Sequence, residues 1–123
     1  MKYTQPGMND ICVRAYGKLL GVFTYREAYA SIPFPLSLFK GKREEVVAYT
    51  DLIRISLMQS NEDFSIFMVF RKENGKEGNC TVQVGKNLRY VVPLFDSIVE
   101  RVKSVNPDAQ VFLPPAMVGR KGI

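Results

Sequence analysis

At 123 residues, 46% of them apolar and 24% charged, the chain has material for one packed domain and lacks the composition of a disordered polypeptide. Its net charge of +5 is a mild preference for anionic partners, not the dense basic surface of a nucleic-acid binder. With no histidine, a Ser-His-Asp or Cys-His triad and the zinc-protease helix are excluded.

Residues 1–10 read as a loose leader punctuated by Pro6 and Gly7. Ile11 to Tyr16 alternates apolar and polar positions as a half-buried strand does, and Gly17-Lys18 suits a turn. Leu19 to Ile32 carries two competing signals. Gly21, Val22, Phe23 and Tyr25 favour a strand. Thr24-Tyr25-Arg26-Glu27 has the form of a helix capping box, and Tyr25, Ala28, Tyr29 and Ile32 fall at helical spacing. Both readings of 20–32 stay open.

Pro33-Phe34-Pro35 interrupts regular structure, and Leu36-Ser37-Leu38-Phe39 resumes an extended run before the polar turn Lys40-Gly41-Lys42-Arg43. Glu45 to Met58 is a long strand expected to bend or break near Thr50-Asp51, with Val47, Tyr49, Ile53, Ile55 and Leu57 on one face. Ser60 to Asp63 is a turn cluster. Phe64 to Lys72 is apolar on both faces, as expected of a strand near the centre of a sheet. Asn74-Gly75 is a hairpin signal, and Cys80, Val82 and Val84 mark the returning strand. An amphipathic helix follows over Pro93–Val105, with Phe95, Ile98, Val99 and Val102 as its apolar stripe. Asn106-Pro107 stops it, and 107–123 read as a tail.

Catalytic motifs do not emerge. Gly41-Lys42 falls short of a phosphate-binding loop, because Arg43 stands where Ser or Thr belongs and Leu36 where the first Gly belongs. Glu44-Glu45 and Glu62-Asp63 are adjacent carboxylate pairs, but neighbours in a strand point to opposite faces. The chain therefore reads as non-enzymatic, with no cofactor and no metal. Cys12 and Cys80 read as reduced core residues, since the N-terminus has no apolar stretch of signal-peptide type. For the same reason the Asn79-Cys80-Thr81 glycosylation match carries nothing, and a cytoplasmic location is expected. No apolar run approaches the roughly 20 residues of a transmembrane helix.

Three surface features could bind. Lys40, Lys42 and Arg43 place three cations on one turn, suited to an anionic lipid or a phosphorylated ligand, although Glu44-Glu45 offsets them. Arg71, Lys72 and Lys76 are interleaved with Glu73 and Glu77, the mixed-sign pattern of a soluble loop. Phe23, Tyr25, Tyr29 and Phe34 could stack on bases beside Arg26, but core packing accounts for them more simply, and nucleic acid is not the expected partner.

The order of strands, hairpins and a terminal helix resembles the pleckstrin-homology-like superfold, including small bacterial and lipid-associated (GRAM-like) variants, over roughly Ile11 to Asn106. The segment Glu45-Val46-Val47-Ala48-Tyr49-Thr50-Asp51-Leu52-Ile53-Arg54-Ile55 carries most of the likeness. Lipid-binding members have a basic cluster between their first two strands. Here that place holds only Lys18, and the denser cluster comes later. The resemblance implies an α+β, mainly β fold: an antiparallel, partly open barrel of about six to seven strands with one C-terminal amphipathic helix.

It also implies an interaction or scaffold module that binds a protein or peptide, or self-associates, along a strand edge or beside the helix. Docking to an anionic lipid or phosphorylated ligand through Lys40, Lys42 and Arg43 is one alternative. A small enzyme or small-molecule carrier with a pocket in the barrel is the other.

Overall fold

A computed structural model describes residues 7–32 and 35–114. The order of elements is β1 (Ile11–Ala15), β2 (Lys18–Phe23), β3 (Glu27–Ser31), α1 (Leu36–Lys40), β4 (Glu44–Ala48), a 3-10 turn (Tyr49–Asp51), β5 (Leu52–Ser60), β6 (Asp63–Arg71), β7 (Glu77–Gly85), α2 (Leu88–Val105) and β8 (Gln110–Phe112).

The fold is mainly β, with two four-stranded sheets and a C-terminal helix. The strand orders are β1-β2-β3-β4 and β7-β6-β5-β8. Among the described residues the sheets do not join into a closed barrel, and the eight strands exceed the six to seven expected. They form an open, sandwich-like arrangement around one core. Neighbours pair antiparallel, except that β8 runs parallel to β5 with Ile55 opposite Val111.

The ambiguous segment resolves into strands for a local reason. The Thr24 hydroxyl oxygen accepts from the N–H groups of Arg26 and Glu27, at 3.1 and 3.0 Å. This is the bonding of a helix cap, but it closes the tight turn between β2 and β3 instead. Tyr29 and Ala28 then pair with Val22 and Phe23. At the first hairpin, Tyr16 and Gly17 both take positive φ, 54° and 73°, as a two-residue turn requires.

The run Leu36–Phe39 is a short helix, not the extended segment expected. Pro35 stands just before it, and Gly41 closes it in a left-handed conformation (φ 70°). Four residues of L-S-L-F cannot separate the two periods. The flanking Pro and Gly are the better signal.

The long strand breaks where expected, at the 3-10 turn Tyr49–Asp51. Its buried face differs beyond the break. A bulge between Leu52 and Arg54 shifts the register, so Leu52 is buried and Ile53 only half-buried. β6 lies between β5 and β7, which accounts for burial of Phe64, Ile66, Met68, Val69 and Phe70.

The helix α2 starts at Leu88, ahead of the expected Pro93. Asn87 caps it, its side-chain oxygen accepting from Arg89 N–H at 3.1 Å. Its buried face is Val91, Phe95, Ile98 and Val102, with Val99 half-buried. Each such side chain contributes about 1.5–3 kcal/mol of burial free energy. No helix among the described residues is long and apolar enough to cross a membrane.

Candidate functional site

The loop between β3 and β4 carries α1 and the three cations named from sequence. Backbone bonds fix both its ends: Ile32 N–H donates to Arg43 O at 2.8 Å, and Lys42 N–H to Ser37 O at 3.2 Å. The short helix buries none of its side chains. Leu36 is 45% exposed, Leu38 69% and Phe39 86%. Large apolar side chains this exposed carry a desolvation gain that nothing in the described fold collects.

Lys40, Lys42 and Arg43 follow directly and are exposed. They are not equivalent. Lys42 is tied to the buried Glu45, Nζ to Oε2 at 2.9 Å. The carboxylate pair Glu44-Glu45 does not form an acid–base couple, because Glu45 is engaged in that ion pair. Asp63 likewise accepts a hydrogen bond from the Tyr16 hydroxyl.

The other sequence candidates are dispersed. Arg71, Lys72 and Lys76 sit exposed around the β6–β7 turn, where Lys72 N–H donates to Lys76 O at 2.8 Å. Phe23 is fully buried, Tyr29 is half-buried with its hydroxyl donating to Glu27 at 2.6 Å, and Tyr25 lies under Arg101. Phe34 is outside the described residues. The three described aromatics therefore share no stacking face.

A cleft lies beside α1, where β7 approaches β1, β2 and β3 at the open seam of the two sheets. Its volume is about 660 Å³. Leu20 and Ala30 of the first sheet and Cys80 and Val82 of the second line it, with Leu36, Lys18 and Lys40. Burial pushes the Cys80 thiol up to about 12, with the Glu45 charge adding to the shift. The raised value keeps the thiol protonated at neutral pH. Both cysteines are free. Among the described residues no cluster of His, Cys, Asp or Glu is placed to hold a metal ion.

Sequence reasoning finds the cations and misses their apolar neighbours. Read as an extended run, Leu36, Leu38 and Phe39 would be half-buried in a sheet. The cleft has no sequence signal, because its lining comes from five strands and α1. No family model matches this sequence, and no curated protein or solved structure is significantly similar to it.

Proposed function

We propose that the protein is a non-enzymatic docking module of the pleckstrin-homology-like kind, and that α1 with its cations attaches it to an anionic bilayer surface. The observation that carries this reading is the juxtaposition of exposed Leu38 and Phe39 with Lys40, Lys42 and Arg43. Two strand groups followed by a helix support the superfold assignment.

Magnitudes decide the mechanism. Each cation near an anionic surface contributes about 1 kcal/mol. Glu45 competes for Lys42, so charge alone gives weak attachment. Burying Leu38 and Phe39 in the interface adds about 1.5–3 kcal/mol each. Apolar insertion therefore contributes more than charge, and the cations orient the approach. The groove beside α2 is a poorer docking place, because β8 already occupies the β5 edge there.

Vesicle sedimentation tests the proposal. The protein should pellet with phosphatidylserine-containing vesicles at low salt and not with pure phosphatidylcholine. Phe39→Ser should weaken binding about tenfold or more, and Lys40→Glu with Arg43→Glu should abolish it. Unchanged pelleting of Phe39→Ser refutes the assignment. If Phe39→Ser instead converts an oligomer to a monomer in light scattering, α1 is a protein contact and the bilayer reading fails.

A further inference from the structure

The cleft at the seam of the sheets has the chemistry of a ligand site in its own right. Its volume of about 660 Å³ falls inside the roughly 300–1,000 Å³ of small-molecule sites. Gly21 and Val82 bring the two sheets into contact beside it. A Cβ added at Gly21 would stand 2.9 Å from Val82 Cγ1. Leu20 and Ala30 face Cys80 and Val82 around the cleft, and Leu36 of α1 joins them.

Nothing ionised among those side chains would repel an alkyl chain, since the thiol is held neutral. The charged groups of the lining are Lys18, Lys40 and Glu45. Glu45 is neutralised by Lys42, which leaves Lys18 and Lys40 to set the sign of the mouth. The lining is mixed, with Ser31, Asn79, Thr81 and Gln83 beside the apolar side chains, and its apolar part together with Lys18 and Lys40 fits an amphiphile that carries one anionic end.

We infer that the cleft binds a single-chain anionic amphiphile, its alkyl chain among Leu20, Ala30, Cys80 and Val82 and its acidic group at Lys18 and Lys40. This does not depend on bilayer docking by α1. The occupant here is a monomeric molecule in solution, and the residues that hold its chain belong to the sheets. Leu36 and Lys40 are common to both regions, so a lipid met at the surface has a short path into the cleft.

The test is a titration with dodecanoate below its micelle concentration, followed by methyl NMR. Saturable one-to-one shifts should appear at Leu20, Ala30 and Val82. Dodecyltrimethylammonium, with the same chain and opposite charge, should bind at least tenfold more weakly, and acetate should leave those methyls unmoved. Lys18→Glu, on the exposed rim, should weaken dodecanoate binding several-fold without unfolding the protein. Phe39→Ser should keep dodecanoate binding while losing vesicles, which separates this proposal from bilayer docking by α1. Shifts confined to the Leu38 methyls, equal binding of the cationic amphiphile, or loss of dodecanoate binding in Phe39→Ser would each overturn it.

Discussion

The guanidinium of Arg101 lies 4.0 Å from the centre of the Tyr25 ring, and this stack joins α2 to the β2–β3 turn. The same group donates to Phe23 O at 2.9 Å and to Asn9 O at 2.6 Å. One side chain thus ties the helix to the end of β2 and to the segment before β1. Arg101→Ala should cost about 1.5–3 kcal/mol by urea denaturation, the range for hydrogen bonds to a charged group. Arg101→Lys should recover only part of this, because an ammonium lacks the planar fork that reaches both carbonyls and the ring. A double-mutant cycle with Tyr25→Leu should give a coupling of about 0.5–1 kcal/mol. Additivity of the two changes would show that the stack contributes nothing.

Asn106, at the C-terminal end of α2, donates through Nδ2 to Tyr49 O and Leu52 O, both at 2.9 Å. These carbonyls flank the break between β4 and β5. Asn106→Ala should destabilise by about 1–3 kcal/mol, the cost of leaving buried acceptors unpaired. Asn106→Asp is the sharper variant. An ionised carboxylate has no proton to give two carbonyls, so folding should raise its pKa above the unfolded value of about 3.9. The variant should then be closest to the wild type in acid and lose stability as pH rises through that range. A pH-independent deficit would contradict this bonding.

Pro93 is the sixth residue of α2 and has no N–H for the carbonyl of Arg89. Its own carbonyl accepts from the Ser97 hydroxyl at 3.0 Å. Pro93 is exposed, so Pro93→Ala removes no core contact. It should stabilise the protein, by about 1 kcal/mol or more after the added freedom of the unfolded chain is subtracted from the intrinsic penalty. Thermal denaturation followed by circular dichroism is the check, and an unchanged or lower midpoint would mean that packing requires the proline.

Cys80 is raised from 9.0 to about 12 by burial. The unfolded chain ionises this thiol first as pH rises, so the stabilisation is complete below about pH 9 and is lost between 9 and 12. Tyr49 is raised by burial as well, its hydroxyl donating to Thr24 O at 2.6 Å. Both groups therefore make the fold base-sensitive. Cys80→Val should flatten part of the stability loss between pH 9 and 12. A loss of undiminished steepness in Cys80→Val would show that this thiol contributes nothing to it.

Much of the β framework is legible because it is written in local chemistry. Asn74-Gly75 specifies a hairpin, with Gly75 at φ 83°. Phe64 to Phe70 is apolar on both faces, as a strand flanked on both sides must be. Phe95, Ile98 and Val102 repeat at helical spacing, and all three are buried. The break near Thr50-Asp51 also follows from sequence, since a strand of that length bends.

Where local signals conflict or are too short, tertiary contacts decide. Thr24 and Glu27 carry the residues of a helix cap, but pairing with β2 and β4 draws Glu27–Ser31 into a strand. Leu36–Phe39 has too few residues to show a period, so its helical form and exposure appear only in the structure. The stripe on α2 predicts burial, but not that Arg101 and Asn106 anchor the helix to backbone carbonyls far away in sequence.

Lys40, Lys42 and Arg43 are visible as charges in the sequence. Which of them is engaged depends on Glu45, and what stands beside them depends on α1. Sequence by itself determined a β-rich domain with a terminal amphipathic helix, because periodicity and turn chemistry are local properties of the chain. Only the tertiary structure decided the exposed apolar face and the cleft beside it, because both depend on which side chains the remaining elements leave uncovered.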